Sequence, residues 1–157
     1  MSAGEVVEFY ATGTYAIPGD FEVVANNPIA VVNYMTGSTN LVNSTQGDPA
    51  MVQLSPVEQY LPRYVVLVPG TWINDFAVIT REMDAEILID GVPVLDQDFV
   101  PVADSIFEVA RVPVTDGVHF IDGGDSKFSV VIVGYDTHDS YAYLGGTGTG
   151  VINPAPQ

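Results

Sequence analysis

Apolar residues recur along the chain in short blocks rich in Val, Ile, Phe and Tyr, and Gly, Pro, Asn and Asp separate the blocks. Runs of β-branched and aromatic residues bounded by turn formers read as strands. The pattern predicts strands over residues 6–10, 21–25, 29–35, 51–54, 64–68, 75–80, 86–89, 107–113, 117–121, 128–135 and 140–143. No long window keeps an apolar stripe at helical spacing free of Pro and Gly, so helix is confined to single turns. SPVEQY at 55–60 is the best place for one, with Ser55 as a candidate cap, Pro56 at the first helical position and Glu58 at the capping-box position. A Pro-directed turn fits those residues equally. The expected fold is all-β, a two-sheet antiparallel β-sandwich of about 10–11 short strands.

Turn chemistry refines this picture. Asp90–Gly91 stands between the apolar EILI and VPVL blocks, and both central residues of a type I′ turn need positive φ, so a two-residue hairpin is expected there. Asp122–Gly123–Gly124–Asp125 joins its flanking strands by a longer, more mobile loop, and Pro69 and Pro113 fall at strand ends, where a missing ladder donor is tolerated. FEVVANNPIAVVNY at 21–34 resembles HFIDGGDSKFSVVIVGY at 119–135, each with a strand, a polar turn, a β-branched strand and a closing Tyr. Either the two are related hairpins with Tyr34 and Tyr135 in matching positions, or any two hairpins look alike at this level.

The 157 residues fall within the range of one domain, and 47% hydrophobic content supplies a core. One sandwich over 1–147 followed by a Gly/Pro-rich tail or linker over 148–157 is the expected organisation. Four Lys and Arg against twenty Asp and Glu give a net charge of −16, which repels phosphates and anionic headgroups, so nucleic acid is not an expected partner. The absence of cysteine excludes disulfides, thiolate metal sites and a cysteine nucleophile. The first residues, MSAGEVVEFY, lack a secretory signal and no stretch is long and apolar enough to span a membrane. If the parent protein is exported, this chain is a mature or excised portion of it.

Four blocks carry a family resemblance: NNPIAVVNYMTG at 26–37, GDPAMVQLSPVEQY at 47–60, YVVLVPGTWINDFAVI at 64–79 and GVHFIDGGDSKFSVVIVGYDTHDSYAYLGG at 117–146. In this order they resemble the IgGFc-binding protein N-terminal domain family, over about 21–146. The resemblance implies a domain of secreted or cell-surface proteins, among them a mucus-associated animal protein named for binding immunoglobulin Fc and many bacterial surface proteins, and it implies no enzymatic activity. It does not transfer the Fc ligand, since specificity resides in a chain's own surface. The lack of cysteine departs from disulfide-rich animal proteins and points to a bacterial surface protein.

Candidate chemistry clusters near the C-terminus. Asp136, His138 and Asp139 in GYDTHDSY form the densest polar group, expected on an exit loop over 136–146 at one end of the sandwich; it suits a ligand or a solvated turn. Tyr141 and Tyr143 alternate onto one strand face and, with Trp72, offer aromatic surface to a protein or glycan, or belong to the core. Asp122 and Asp125 are candidate Ca²⁺ ligands, as are Asp90, Asp96 and Asp98, though Asp also suits turns for geometric reasons; no other cofactor is expected. His119 belongs to a strand, and no metal-protease, EF-hand or nucleophile-elbow spacing is present. Lys127, the only lysine, invites an isopeptide crosslink but reads better as a solvated turn residue, and Asn43–Ser44–Thr45 is formally a glycosylation sequon. GTGTG at 146–150 lacks the lysine and following helix of a phosphate loop.

The expected function is therefore that of a non-enzymatic extracellular or cell-surface adhesion module, recognising a protein or glycan as part of a larger surface protein and not inserting into the membrane. A structural spacer is the alternative. A metal-dependent hydrolase rests only on Asp136, His138 and Asp139.

Overall fold

Strict alternation builds the two strands that define the core. In β3 (Arg63–Val68) Tyr64, Val66 and Val68 are buried while Arg63, Val65 and Leu67 are exposed, and in β4 (Asn74–Glu82) Asp75, Ala77, Ile79 and Arg81 are buried. Successive side chains of a strand point to opposite faces, so each strand commits one face to the interior. The computed structural model describes residues 4–14, 17–40 and 45–149, and among them the regular structure is β apart from three single turns of 3-10 helix.

The remaining strands are β1 (Val32–Tyr34), β2 (Met51–Gln53), β5 (Leu88–Ile89), β6 (Val92–Pro93), β7 (Phe99–Pro101), β8 (Phe107–Pro113), β9 (Gly117–Asp122), β10 (Phe128–Asp136) and β11 (Asp139–Leu144). They form a five-stranded sheet in the order β11-β10-β4-β8-β7, a four-stranded sheet in the order β3-β9-β5-β6, and the separate pair β1-β2. Every pairing is antiparallel. Tyr64, Val66, Val68 and Ile121 of the smaller sheet pack against Ala77, Ile79, Ala110, Phe128, Val130 and Ile132 of the larger. Tyr64 fastens the layers: its ring meets Phe128 edge-on at 4.9 Å and its hydroxyl donates to the Phe128 carbonyl at 2.6 Å.

Local signals hold where they are strongest. Ile89 pairs with Val92, leaving Asp90 and Gly91 as a two-residue turn with φ of 52° and 81°, the left-handed conformations that the dipeptide predicts. The turn at 55–60 is helical for three residues only, Val57–Gln59, with Pro56 as its cap residue. Ser55 does not cap it; its hydroxyl lies 2.8 Å from that of Thr147.

Other expectations are corrected. Residues 6–10 and 21–25 form no strand, and Val6, Phe9 and Tyr10 are exposed. Strand propensity is realised only against a partner edge, and both large sheets close without these stretches. The edges of the two sheets are taken instead by β6, the second arm of the expected Asp90–Gly91 hairpin, and by β7, a short strand the pattern did not predict. The resemblance between 21–34 and 119–135 is coincidental: the first contributes only β1, and the second is no hairpin, because β9 and β10 lie in different sheets and the loop at 123–127 carries the chain from one to the other. Of the expected tail, residues 150–157 lie outside the described residues, as do Asn43 and Ser44 of the sequon.

The larger sheet is covered on its outer side as well. Val109 and Val133 face away from the sandwich core, by register with Thr80 and Phe76, yet are 5% and 8% exposed. The stretch before β1 reaches this face, where Asp20 forms a two-pronged ion pair with Arg111 of β8 at 2.6 and 3.0 Å.

Candidate functional site

The expected exit loop is instead a hairpin. Asp136 pairs with Asp139, so Thr137 and His138 alone make the turn between β10 and β11, with His138 at φ 54°. A polar run that looks like a loop becomes a tight turn because its carboxylates satisfy neighbouring amides: Thr137 N–H donates to Asp136 Oδ1 at 2.6 Å and Ser140 N–H to Asp139 Oδ1 at 2.9 Å. The segment before β2 straps over this turn. Gly47 N–H donates to the Asp136 carbonyl, His138 N–H to the Thr45 carbonyl, and Asp48 N–H to Ser140 Oγ, each at 2.9 Å; Ser38 Oγ lies 3.3 Å from His138 Nδ1. His138 and Asp139 stay exposed, so the tip offers charge to solvent while its backbone is anchored.

Trp72, Tyr141 and Tyr143 come together as an aromatic row on the inward side of β11, where all three are half-buried. Trp72 meets Tyr141 edge-on at 4.8 Å and Tyr141 stacks on Tyr143 at 6.2 Å. Tyr141 crosses over Gly134, and a Cβ there would collide with the ring and with Asp75, so glycine is what lets the phenol reach across β10 to β4. Its hydroxyl donates to Asp75 Oδ1 at 2.6 Å. Burial, reinforced by the hydrogen bond to Asp75, pushes the Tyr141 phenol well above its ordinary value. Tyr143 bridges the sheets: it accepts from Leu67 N–H at 3.1 Å and donates to the Leu67 carbonyl at 2.8 Å.

Beside this row, residues of β2 and β11 line a cleft of about 400 Å³. Met51, Val52 and Leu54 form one wall and Ala142, Tyr143 and Leu144 the other. The floor is a hydrogen-bonded set, Ser55 to Thr147 and Thr147 to Gln59, both at 2.8 Å. No charged side chain lines it. The sequence singled out Tyr143 but not the facing wall, because contact between the two segments is long-range and leaves no local signal.

The remaining candidates lie apart from the row. Asp122 ends β9 and its Oδ1 accepts from Gly124 N–H at 2.8 Å and Arg63 Nε at 3.1 Å. The Gly124 amide holds this carboxyl below its ordinary value, with burial opposing and Arg63 reinforcing the shift. Asp125 and Lys127 are exposed on the following loop. Among the described residues, no group of three or more His, Cys, Asp or Glu is placed to hold a metal ion. His119 is buried on the inward face of β9, with Nδ1 2.6 Å from Asp90 Oδ2 and Nε2 2.6 Å from the Thr115 carbonyl. With Asp90 ionised both partners accept, an arrangement that favours the imidazolium, in which both nitrogens donate.

The family model described as IgGFc binding protein matches residues 1–134, taking in the N-terminal stretch that resemblance alone did not cover and stopping within β10, short of Tyr141 and Tyr143. No curated protein and no solved structure matches the chain. A match over 134 of 157 residues settles the affiliation, and the chain belongs to the IgGFc binding protein family.

Proposed function

We propose that this chain is a non-enzymatic recognition module of an extracellular or cell-surface protein, binding a protein partner. One observation carries the reading: the chain belongs to a family described by the binding of a protein. The exposed His138 and Asp139, and the uncharged cleft beside Tyr143, are the places on the C-terminal hairpin where a partner would be met. The half-burial of Trp72, Tyr141 and Tyr143 favours a second reading, a structural spacer whose aromatic groups hold the sheets together.

The two readings separate on arrays of extracellular proteins and glycans. A reproducible protein hit supports recognition, and silence on both supports the spacer. For such a hit, replacing Asp136 and Asp139 with Ala and His138 with Asn, which tolerates the positive φ, should weaken binding about tenfold, the loss of roughly 1.4 kcal/mol. Melting temperature should fall only slightly, because the two side-chain bonds lost, to the Thr137 and Ser140 amides, lie at an exposed tip. Retained binding would remove the hairpin tip from the recognition surface, and a large drop in melting temperature would make it an anchor for the strap.

A further inference from the structure

Among the described residues the outward face of the smaller sheet is uncovered and apolar. Val65 of β3 stands opposite Phe120 of β9, and Leu67 opposite Val118. All four point away from the core and are 66%, 44%, 61% and 68% exposed, respectively. An antiparallel sheet with one solvated face normally alternates apolar inward with polar outward. Here both faces of β3 and β9 are apolar, and the outward residues form two adjoining cross-strand pairs. The outer side of the larger sheet is also apolar, but there Val109 and Val133 are buried under other parts of the chain.

We propose that this face is a docking surface for a cationic protein, one that presents an apolar strip bordered by Lys or Arg; the proposal rests on the recognition reading above and gives the same partner a further contact surface besides the C-terminal hairpin. Charge selects the occupant. The patch is bounded by the Arg63–Asp122 ion pair at one end and exposed Asp116 at the other, with half-exposed Asp90, bonded to the Phe120 N–H and paired with buried His119, alongside; two ion pairs and the unpaired charge of Asp116 leave the rim net acidic. All three arginines of the chain are engaged in ion pairs, with Asp122, with Asp96 and Glu108, and with Asp20. A second copy would bring one acidic rim against another and one charge of −16 against its equal. An apolar centre within a polar rim is the anatomy of a protein interface, and the opposite charge of the partner supplies steering and orientation.

The test uses the whole chain, two fluorescent dodecapeptides, one alternating Val with Lys and the other Val with Glu, and the variant V65T/F120T, which keeps every charge. At physiological salt the Lys peptide should bind the wild type at least tenfold more tightly than the variant, and the Glu peptide should bind neither. Equal binding of the Lys peptide to both proteins overturns the proposal, since the attraction is then diffuse charge alone. Self-association of the wild type that the variant loses overturns it in favour of a second copy, and variant-sensitive binding to phosphatidylcholine vesicles overturns it in favour of a membrane. Should V65T/F120T unfold, L67T and V118T read the same contrast singly. An array partner whose binding survives V65T/F120T leaves the recognition reading standing and refutes this surface; patch-dependent peptide binding with silent arrays does the reverse.

Discussion

The inward face of β4 runs Asp75, Ala77, Ile79, Arg81, so a buried ionisable side chain closes each end of the same apolar row, and the two are satisfied by different means. Arg81, 1% exposed, is surrounded: Nε donates to Glu108 Oε1 at 2.8 Å, Nη2 to Asp96 Oδ1 at 2.8 Å, Nη1 to the Ala85 carbonyl, and its guanidinium lies 3.4 Å from the centre of the Phe99 ring. Asp75, 6% exposed, has the Tyr141 hydroxyl and a wall of aromatic rings. Five N–H donors in a planar fork can be shared among several elements, so Arg81 ties β4 to β8, to the turn after β4 and to the approach to β7. A carboxylate has only acceptors and depends on what is brought to it. One end is a network, the other a single bond, and they should fail differently.

The largest effect is expected at the network. Arg81→Met leaves Glu108, 9% exposed, as an uncompensated buried carboxylate and should cost about 3–5 kcal/mol in denaturant unfolding. Adding Glu108→Leu should recover most of that loss, because a well-packed apolar pair replaces a buried ion pair at little cost. If the double variant is no better than the single, the network holds β4 through Asp96 and Ala85 instead. At the other end, Tyr141→Phe keeps the ring stack and removes one hydrogen bond to a charged acceptor, so about 1.5–3 kcal/mol should be lost. A loss no greater than a surface substitution would show that Asp75 finds water once the phenol is gone, and the contrast between the ends would be one of degree.

A charged pair in the other sheet sharpens the comparison because it titrates. Burial works against the His119 imidazolium, but the Thr115 carbonyl and the Asp90 carboxylate outweigh it and raise the pKa above the ordinary 6.5. Asp90 is held below its ordinary 3.8 by the Phe120 N–H first and His119 second. For a raised base, stability is fully present below the unfolded value and is lost as pH rises through the folded value. For a depressed acid it is present above the unfolded value and is lost as pH falls through the folded one. The pair should therefore contribute most between about pH 4 and 6.5, with a decline on the alkaline side that His119→Gln abolishes. An unfolding profile over pH 6–9 with the same slope in wild type and variant would refute the imidazolium.

How much of this was legible depends on how far apart the cooperating residues lie in the chain. Asp90–Gly91 specified its turn from two adjacent residues, whereas RYVVLV, apolar on both faces from Tyr64 onward, marks β3 as a strand without telling its buried face from its exposed one. Residues 6–10 carry an equally good strand signal and form none, because the edge they would need lies in no local pattern. The meeting of Trp72 with Tyr141 over Gly134, and of Met51 with Tyr143 across the cleft, is decided by sheet order alone. Arg81 left a readable trace: it shares parity with Asp75, Ala77 and Ile79, and an arginine in that register is either at the strand end in solvent or buried with partners. The outward Val65, Leu67, Val118 and Phe120 were equally visible as apolar letters, but only register puts them side by side.

The contact between Tyr143 and Leu67 bears on how this domain behaves among its neighbours. β3 ends its sheet, and an end strand with free amides and carbonyls is a template for any passing chain. One phenol occupies both groups of Leu67, so that edge is stoppered near its C-terminal end by a side chain from the other layer. Two copies of the chain brought together at high concentration would meet an edge whose Leu67 groups are already taken, which works against pairing along β3 into one continuous sheet.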